Sequence, residues 1–141
     1  MRSKYFCWIF HSSCQRCAWE MVAVWYSLIF AMSSVPADDL GGPDFSHWGG
    51  ILYYISRKIA HVTEYFVLTF LLHRALKLAP RNPCPRPLLP AFFLALILAA
   101  LDEYHQTFVF GRTGNILDIF VDSLGMFLAL ASCEKLIEMN F

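Results

Sequence analysis

Two long apolar runs of the sequence flank a stretch that is dense in charged and polar side chains. The runs cover residues 88–101 and 115–132, and the stretch 101–114 between them contains two acids, a histidine, an amide and an arginine. Charged groups beside such runs are costly to remove from water, so in folded proteins they are paired or functional. The chain is therefore limited to folds in which apolar helices bring their polar ends together.

The composition indicates that a bilayer covers much of the chain. Hydrophobic residues make up 57% of the 141 residues and charged residues 16%, whereas soluble domains have about 45–50% and about 25%. A soluble domain of this size buries too little surface to hide that excess. The length suits one domain. Nucleic acid is not expected as a partner, because the sequence has no basic stripe with interleaved aromatic residues.

Four apolar segments approach the roughly 20 residues that cross a bilayer core of about 30 Å. The predicted spans are residues 17–35, 56–76, 88–103 and 115–133. Residues 47–54 are expected at the membrane interface, because they hold aromatic residues, and residues 104–114 are expected to form a loop. Since open sheet edges are not tolerated in lipid, we predict an all-α fold, an integral membrane bundle of four transmembrane helices.

The distribution of basic residues predicts the orientation of the bundle. Most of them precede the first span, lie between the second and third spans, or follow the fourth span. The positive-inside rule then puts both termini in the cytoplasm. We therefore expect a basic cytoplasmic segment over residues 1–16, one membrane domain over 17–133 and a short cytoplasmic tail over 134–141. The expected location is a cell membrane, of the bacterial inner-membrane or plasma-membrane type, with membrane lipids as partners.

With this topology, polar side chains from three helices and one loop converge at the extracytoplasmic end of the bundle. Spacings of three and four residues place the members of each helix along one flank. They are Lys58, His61 and Glu64 on the second helix, Asp102, Glu103, His105 and Gln106 at the end of the third, Arg112 in the loop, and Asp118 and Asp122 on the fourth. We predict one outward-facing polar pocket.

Four motifs in this order resemble the VanZ-like family. They are Lys58-x-x-His61-x-x-Glu64-Tyr65, Asp102-Glu103-x-His105-Gln106-x-Phe108, Gly111-Arg112-x-Gly114 and Asp118-x-x-x-Asp122-x-x-Gly125. The resemblance covers about residues 20–132, with Phe110 where the family usually has a proline. It implies a small multi-spanning membrane protein, and a role in tolerance of envelope-directed antibiotics, because the family is named for a protein linked to teicoplanin resistance.

The pocket has two functional interpretations. In the first, it binds an anionic, phosphate-bearing lipid or cell-envelope ligand through Lys58, Gln106, Arg112, Asp118 and Asp122. In the second, it is the active site of a hydrolase or transferase acting on lipid-linked phosphate. The candidate catalytic residues are His61, Glu64, Asp102, Glu103 and His105, with either histidine transferring protons.

Other interpretations of these polar residues stay open. The acids outnumber the bases of the cluster, which suggests a shared proton, a cation or a metal held by His61, Glu64, His105 and the aspartates. No particular cofactor is indicated. The cluster is also compatible with a purely structural ion-pair network, and a proton-coupled carrier would require a dimer. Gly125 and Ala129 form a small-residue stripe, which favours close helix packing or an oligomer.

Overall fold

The computed structural model describes residues 15–36, 47–78 and 87–138. Within these ranges the chain is all-helical, without strands, and its helices are α1 (Gln15–Ser33), α2 (His47–Lys77), α3 (Leu88–Gln106) and α4 (Ile116–Glu138). The all-α fold class is confirmed, and the helices follow the predicted order. In this part of the chain, Leu88–Gln106 and Ile116–Lys135 are long and apolar enough to cross a membrane. Nearly all of the basic segment 1–16 lies outside the described residues.

Three helix boundaries differ from the predicted ones by three residues or more. α2 already begins at His47, so the stretch expected at the interface is part of the same helix as residues 56–76. No proline occurs between Pro43 and Pro80 to interrupt its backbone hydrogen bonds. α3 extends to Gln106, and its C-cap residue Thr107 still has helical backbone angles, with φ at -63° and ψ at -19°. α4 continues to Glu138 through residues with good helix propensity.

Consecutive helices run in alternating directions, so that four polar helix ends meet. At one end of the bundle Ser33 of α1 bonds to Asp102 of α3, and Lys58 of α2 pairs with Asp118 of α4. At the opposite end, Arg74 of α2 donates a hydrogen bond to the sulfur of Met21 in α1 at 3.5 Å. The most extensive helix–helix contact joins α2 to α4. The cluster predicted from the sequence therefore lies at one end of the bundle.

The residue distribution on α3 is the reverse of that on a helix of a water-soluble protein. Its buried face consists of three alanines, each 0% exposed, followed by two acids and an amide: Ala91, Ala95, Ala99, Asp102, Glu103 and Gln106. Its outward face carries Phe93 and Ile97, which are 57% and 56% exposed. Small residues let neighbouring backbones approach closely. Bulky apolar side chains are left to contact the surroundings of the protein.

Close packing also explains the small-residue stripe of α4. A Cβ atom on Gly125 would overlap the backbone carbonyl oxygen of Val62 in α2, and Ala129 is completely buried. The stripe therefore faces the interior of the same chain. This matches the close helix packing expected for Gly125 and Ala129, and an oligomer stays a prediction.

Candidate functional site

Two adjoining cavities lie at the end of the bundle where the polar side chains meet. The smaller has a volume of about 210 Å³ and the larger a volume of about 380 Å³. Both are lined by Tyr53, Arg57, His61 and Arg112. The polar lining of the smaller cavity is completed by Tyr54, Lys58, Thr113, Asn115 and Asp118, and that of the larger one by Ser33, Ser56 and Glu64.

The cavity walls carry more positive than negative charge. Lys58 forms an ion pair with Asp118, and its ammonium lies 5.1 Å from the centroid of the Tyr54 ring, within the range of a cation–π contact. Arg57 forms no ion pair with any carboxylate in the described part of the chain. The cations of the lining are Arg57, Lys58 and Arg112, and its acids are Asp118 and Glu64. The combined cavity therefore suits an anion.

Arg112 joins the α3–α4 loop to the end of α1. Its Nε donates to the backbone oxygen of Val35 at 2.9 Å, and its Nη2 donates to the backbone oxygen of Met32 at 3.0 Å. Burial lowers the pKa of Arg112, and the neighbouring Arg57 lowers that pKa further, although a guanidinium stays charged in proteins. The arginine thus holds α1 in place while lining both cavities.

The glycines on either side of Arg112 make this loop conformation accessible. Gly111 has a φ of 72°, which is strained for residues with a side chain. A Cβ atom on Gly114 would overlap the backbone oxygen of Glu103. The spacing Gly111-Arg112-x-Gly114 therefore gives the tight return from α3 that directs the arginine towards α1.

Three carboxylates are buried behind the cavity walls. Asp102, Glu103 and Asp122 are only 1%, 4% and 1% exposed. Asp122 Oδ1 lies 3.0 Å from Nδ1 of His61, and Glu103 Oε2 accepts a hydrogen bond from the backbone N–H of Asn115 at 2.9 Å. One oxygen of each carboxylate has no hydrogen-bond partner among the described residues. These atoms are Asp102 Oδ1, Glu103 Oε1 and Asp122 Oδ2.

Asp102 is held by two neutral side chains. Its Oδ2 accepts hydrogen bonds from Ser33 Oγ at 2.8 Å and from Gln106 Nε2 at 3.0 Å. Gln106, expected to contact a ligand, is 1% exposed and instead positions this carboxylate. The charges are thus separated in space, with cations along the cavities and most acids behind them. In the sequence the acids of the cluster outnumber its bases. In the structure this excess is due to the three buried carboxylates, Asp102, Glu103 and Asp122.

His105 contacts the end of α1 and the residue that follows it. Its ring stacks on that of Phe30, with centroids 4.1 Å apart, and its Nε2 is 3.0 Å from Ser34 Oγ. It lines neither of the two cavities. Among the predicted residues, His61, Glu64, Lys58, Arg112 and Asp118 do line them.

Some residues of the site were not predicted from the sequence. Ser33 joins α1 to Asp102, Tyr53 lines both cavities, and the Asn115 backbone holds Glu103. The signal for Ser33 was a serine pair at the end of an otherwise apolar segment. The position of Arg57 outside the cytoplasmic basic clusters indicated a place beside the polar cluster, and its side chain lines both cavities.

The family comparison agrees with the motif order. The VanZ/LLP1 family model matches residues 18–137, which is most of the chain. This confirms the resemblance carried by the four motifs. No curated protein and no solved structure matches the chain.

Proposed function

The chain belongs to the VanZ/LLP1 family, and from that premise we propose that it is a four-helix integral membrane protein that binds a phosphate-bearing lipid or cell-envelope ligand. The cationic lining of the two adjoining cavities by Arg57, Lys58 and Arg112 carries this proposal. In the proposed topology both termini are cytoplasmic and the cavities face outwards.

The surface of the bundle supports the membrane part of the proposal. Large apolar side chains are exposed on every helix, as at Val24 (61%), Ile59 (61%), Ile97 (56%) and Phe120 (68%). Contiguous patches of this kind are rare on water-soluble monomers. A bilayer would cover them on all four sides of the bundle.

The chemistry of the lining favours phosphate over other anions. Guanidinium groups match the oxygens of phosphate with pairs of parallel hydrogen bonds, and an ammonium adds a compact point charge. Arg57 is available for this role because it lacks a carboxylate partner among the described residues. Lys58 is kept at the cavity wall by Asp118, which leaves two of its three donors for a ligand.

An apolar groove beside the smaller cavity favours a ligand with an acyl chain. The groove has a volume of about 360 Å³ and lies between α2 and α4, where it is lined chiefly by Ile55, Ile59, Val62, Val121 and Leu124. Tyr54 and Lys58 line both the groove and the smaller cavity. A lipid could therefore place its phosphate beside Lys58 and its acyl chain along the groove.

Lipid titration of the purified protein tests this proposal. Protein in a neutral detergent is titrated with phosphatidic acid, with diacylglycerol and with inorganic phosphate, and binding is followed by native mass spectrometry and by thermal unfolding. We expect phosphatidic acid to bind and diacylglycerol not to bind. Inorganic phosphate binding as tightly as phosphatidic acid would identify a free anion, rather than a lipid, as the ligand.

Matched variants locate the binding site. Arg57→Gln removes a cation of the cavity wall, and Lys135→Gln removes an exposed cation of α4 far from the cavities. Loss of one charge-assisted contact of about 1.5–3 kcal/mol weakens binding by about 10- to 100-fold. We expect this loss for Arg57→Gln alone. Equal binding by the two variants would contradict the proposed site.

A role in tolerance of glycopeptide antibiotics is the physiological part of the proposal. It rests on family membership. The wild type, Arg57→Gln and Lys135→Gln are expressed to equal levels in a teicoplanin-sensitive host, and the minimal inhibitory concentration is measured. We expect the wild type and Lys135→Gln to raise the minimal inhibitory concentration of teicoplanin. Arg57→Gln should raise this concentration less than the wild type does. No increase with any variant would remove this role and leave lipid binding to be judged by titration.

A second candidate function is hydrolysis or transfer of a lipid-linked phosphate. It is favoured by His61, which lines both cavities and is paired with the buried Asp122. When Nδ1 donates to Asp122, the other ring nitrogen can accept a proton as a general base. Phosphate release from phosphatidic acid, lost in His61→Gln and kept in His105→Gln, would support it. Wild-type protein that binds phosphatidic acid without turnover would contradict it.

A further inference from the structure

Three buried side chains from three different helices meet behind the cavity walls. They are His61 of α2, Glu103 of α3 and Asp122 of α4, which are 7%, 4% and 1% exposed. One nitrogen or oxygen atom of each side chain lies within 4.8 Å of the corresponding atoms of the other two. Their sequence separation is wide, and only the packing of the helices brings them together.

Two carboxylate oxygens in this cluster have no hydrogen-bond partner in the described part of the chain. Glu103 uses Oε2 to accept the backbone N–H of Asn115, and Asp122 places Oδ1 beside His61. Glu103 Oε1 and Asp122 Oδ2 are buried without any hydrogen bond from a described residue. Buried polar atoms are nearly always paired, and a buried carboxylate oxygen without a donor is especially costly. A cation or a further hydrogen-bond donor would satisfy these two oxygens.

A divalent metal ion satisfies these requirements. Two carboxylates and a neutral imidazole balance a charge of +2. Protein nitrogen and oxygen ligands lie about 2.0–2.2 Å from zinc, so that their mutual distances are at most about 4.4 Å. The candidate ligand atoms of the cluster lie within 4.8 Å of one another. Small movements of the side chains would therefore bring all three to coordination distance from one ion. The Asn115 hydrogen bond to Glu103 would orient one ligand, as outer partners do in known metal sites.

We propose that His61, Glu103 and Asp122 form a binding site for a divalent transition-metal ion. One imidazole among carboxylates suits Mn²⁺ or Zn²⁺, whereas Ca²⁺ and Mg²⁺ favour oxygen ligands alone. The sequence pattern pointed to Glu64 and His105 as further ligands, but neither belongs to this cluster. The site goes beyond the proposed function and does not depend on it. His61 also lines both cavities, so the bound ion adds positive charge next to the anion pocket.

Mn²⁺ is the best probe for this site. Thiolates bind Zn²⁺ tightly and prefer soft metals to Mn²⁺, and the sequence carries Cys7, Cys14 and Cys17 near its amino terminus. The full-length protein in detergent is stripped with EDTA, dialysed and titrated with Mn²⁺, and free Mn²⁺ is measured by electron paramagnetic resonance. We expect one bound ion per chain and a higher unfolding temperature. Absence of stoichiometric Mn²⁺ binding and of stabilisation by Zn²⁺ in the wild type would overturn the proposal.

Variants assign the ligands. Glu103→Gln and Asp122→Asn are expected to weaken Mn²⁺ binding by at least tenfold, and Glu64→Gln, which changes a neighbouring acid outside the cluster, is expected to keep it. Retained binding in both cluster variants would also overturn the proposal. If those variants fail to fold, the wild-type measurement is the test: a higher unfolding temperature with Mn²⁺ supports the proposal, and no change overturns it. Phosphatidic acid titration of the EDTA-treated wild type tests the anion pocket separately.

Discussion

Ser33 at the end of α1 donates a hydrogen bond of 2.8 Å to the buried carboxylate of Asp102 in α3. This contact joins residues that are far apart in the sequence. Gln106 donates to the same oxygen from one turn along α3. Asp102 is only 1% exposed. The hydrogen bonds from these two neutral donors therefore take the place of hydrogen bonds to water.

Replacing Ser33 tests the energetic importance of this contact. Ser33→Ala should lower the free energy of unfolding by about 1–3 kcal/mol, because it leaves a buried carboxylate with one donor fewer. Ser27→Ala is the control, since the exposed Ser27 donates its hydrogen bond to the Ala23 carbonyl of its own helix. Unfolding is followed by titration with a denaturing detergent. Equal midpoints for the two variants would show that the Ser33–Asp102 bond does not contribute.

Lys58 and Asp118, which form an ion pair, should be energetically coupled to each other. In a double-mutant cycle of Lys58→Met and Asp118→Asn, contacting residues typically show an interaction energy of about 0.5–3 kcal/mol. The side chains are 23% and 11% exposed, so solvent screening puts the expected value in the lower half of that range. The same cycle with Lys58→Met and Ser27→Ala should be additive. Additive effects in both cycles would mean that the pair is not coupled.

Arg112 should not tolerate replacement by lysine. Arg112→Lys keeps the charge but cannot reproduce the two directed hydrogen bonds to Val35 and Met32. We expect a loss of about 1.5–3 kcal/mol in the free energy of unfolding. Arg57→Lys is the matched control, because Arg57 has no ion pair with a described carboxylate. A thermal unfolding midpoint that falls equally in both variants would argue against the role of Arg112 in holding α1.

The reversed polarity of α3 predicts an unusual pattern of stability changes. Ala95→Leu adds bulk at a position that is 0% exposed, and such overpacking costs about 1–3 kcal/mol. Ile97→Ala removes bulk at a position that is 56% exposed, so we expect a change within about 0.5 kcal/mol. Both are measured by thermal unfolding in detergent. A larger loss for Ile97→Ala would place the core on the other face of α3.

The helices and the location of the cluster were predictable because both depend on local patterns. Long apolar segments predict helices, and spacings of three and four residues predict which polar side chains share a flank. The ends of α2 and α4 were less predictable. The sequence contains no strong helix-breaking residue at the predicted boundaries of these two helices. Residues with good helix propensity therefore extend both helices beyond those boundaries.

The roles of individual polar residues were less accessible to sequence reasoning. His105 shares the spacing of its neighbours but contacts Phe30 and Ser34, because its direction depends on the position of α1. Glu103 and Glu64 are equivalent as acids in the sequence. Only the packing of α2, α3 and α4 puts Glu103 beside His61 and Asp122.

The sequence by itself determined the all-α class, the family and the end of the bundle where charged residues gather. These properties follow from composition, periodicity and motif order, which are local. Only the tertiary structure decided that cations line the cavities while three carboxylates lie behind them. That separation depends on the rotation and depth of each helix. Those are set by contacts such as Gly125 against Val62, between residues that are distant in the chain.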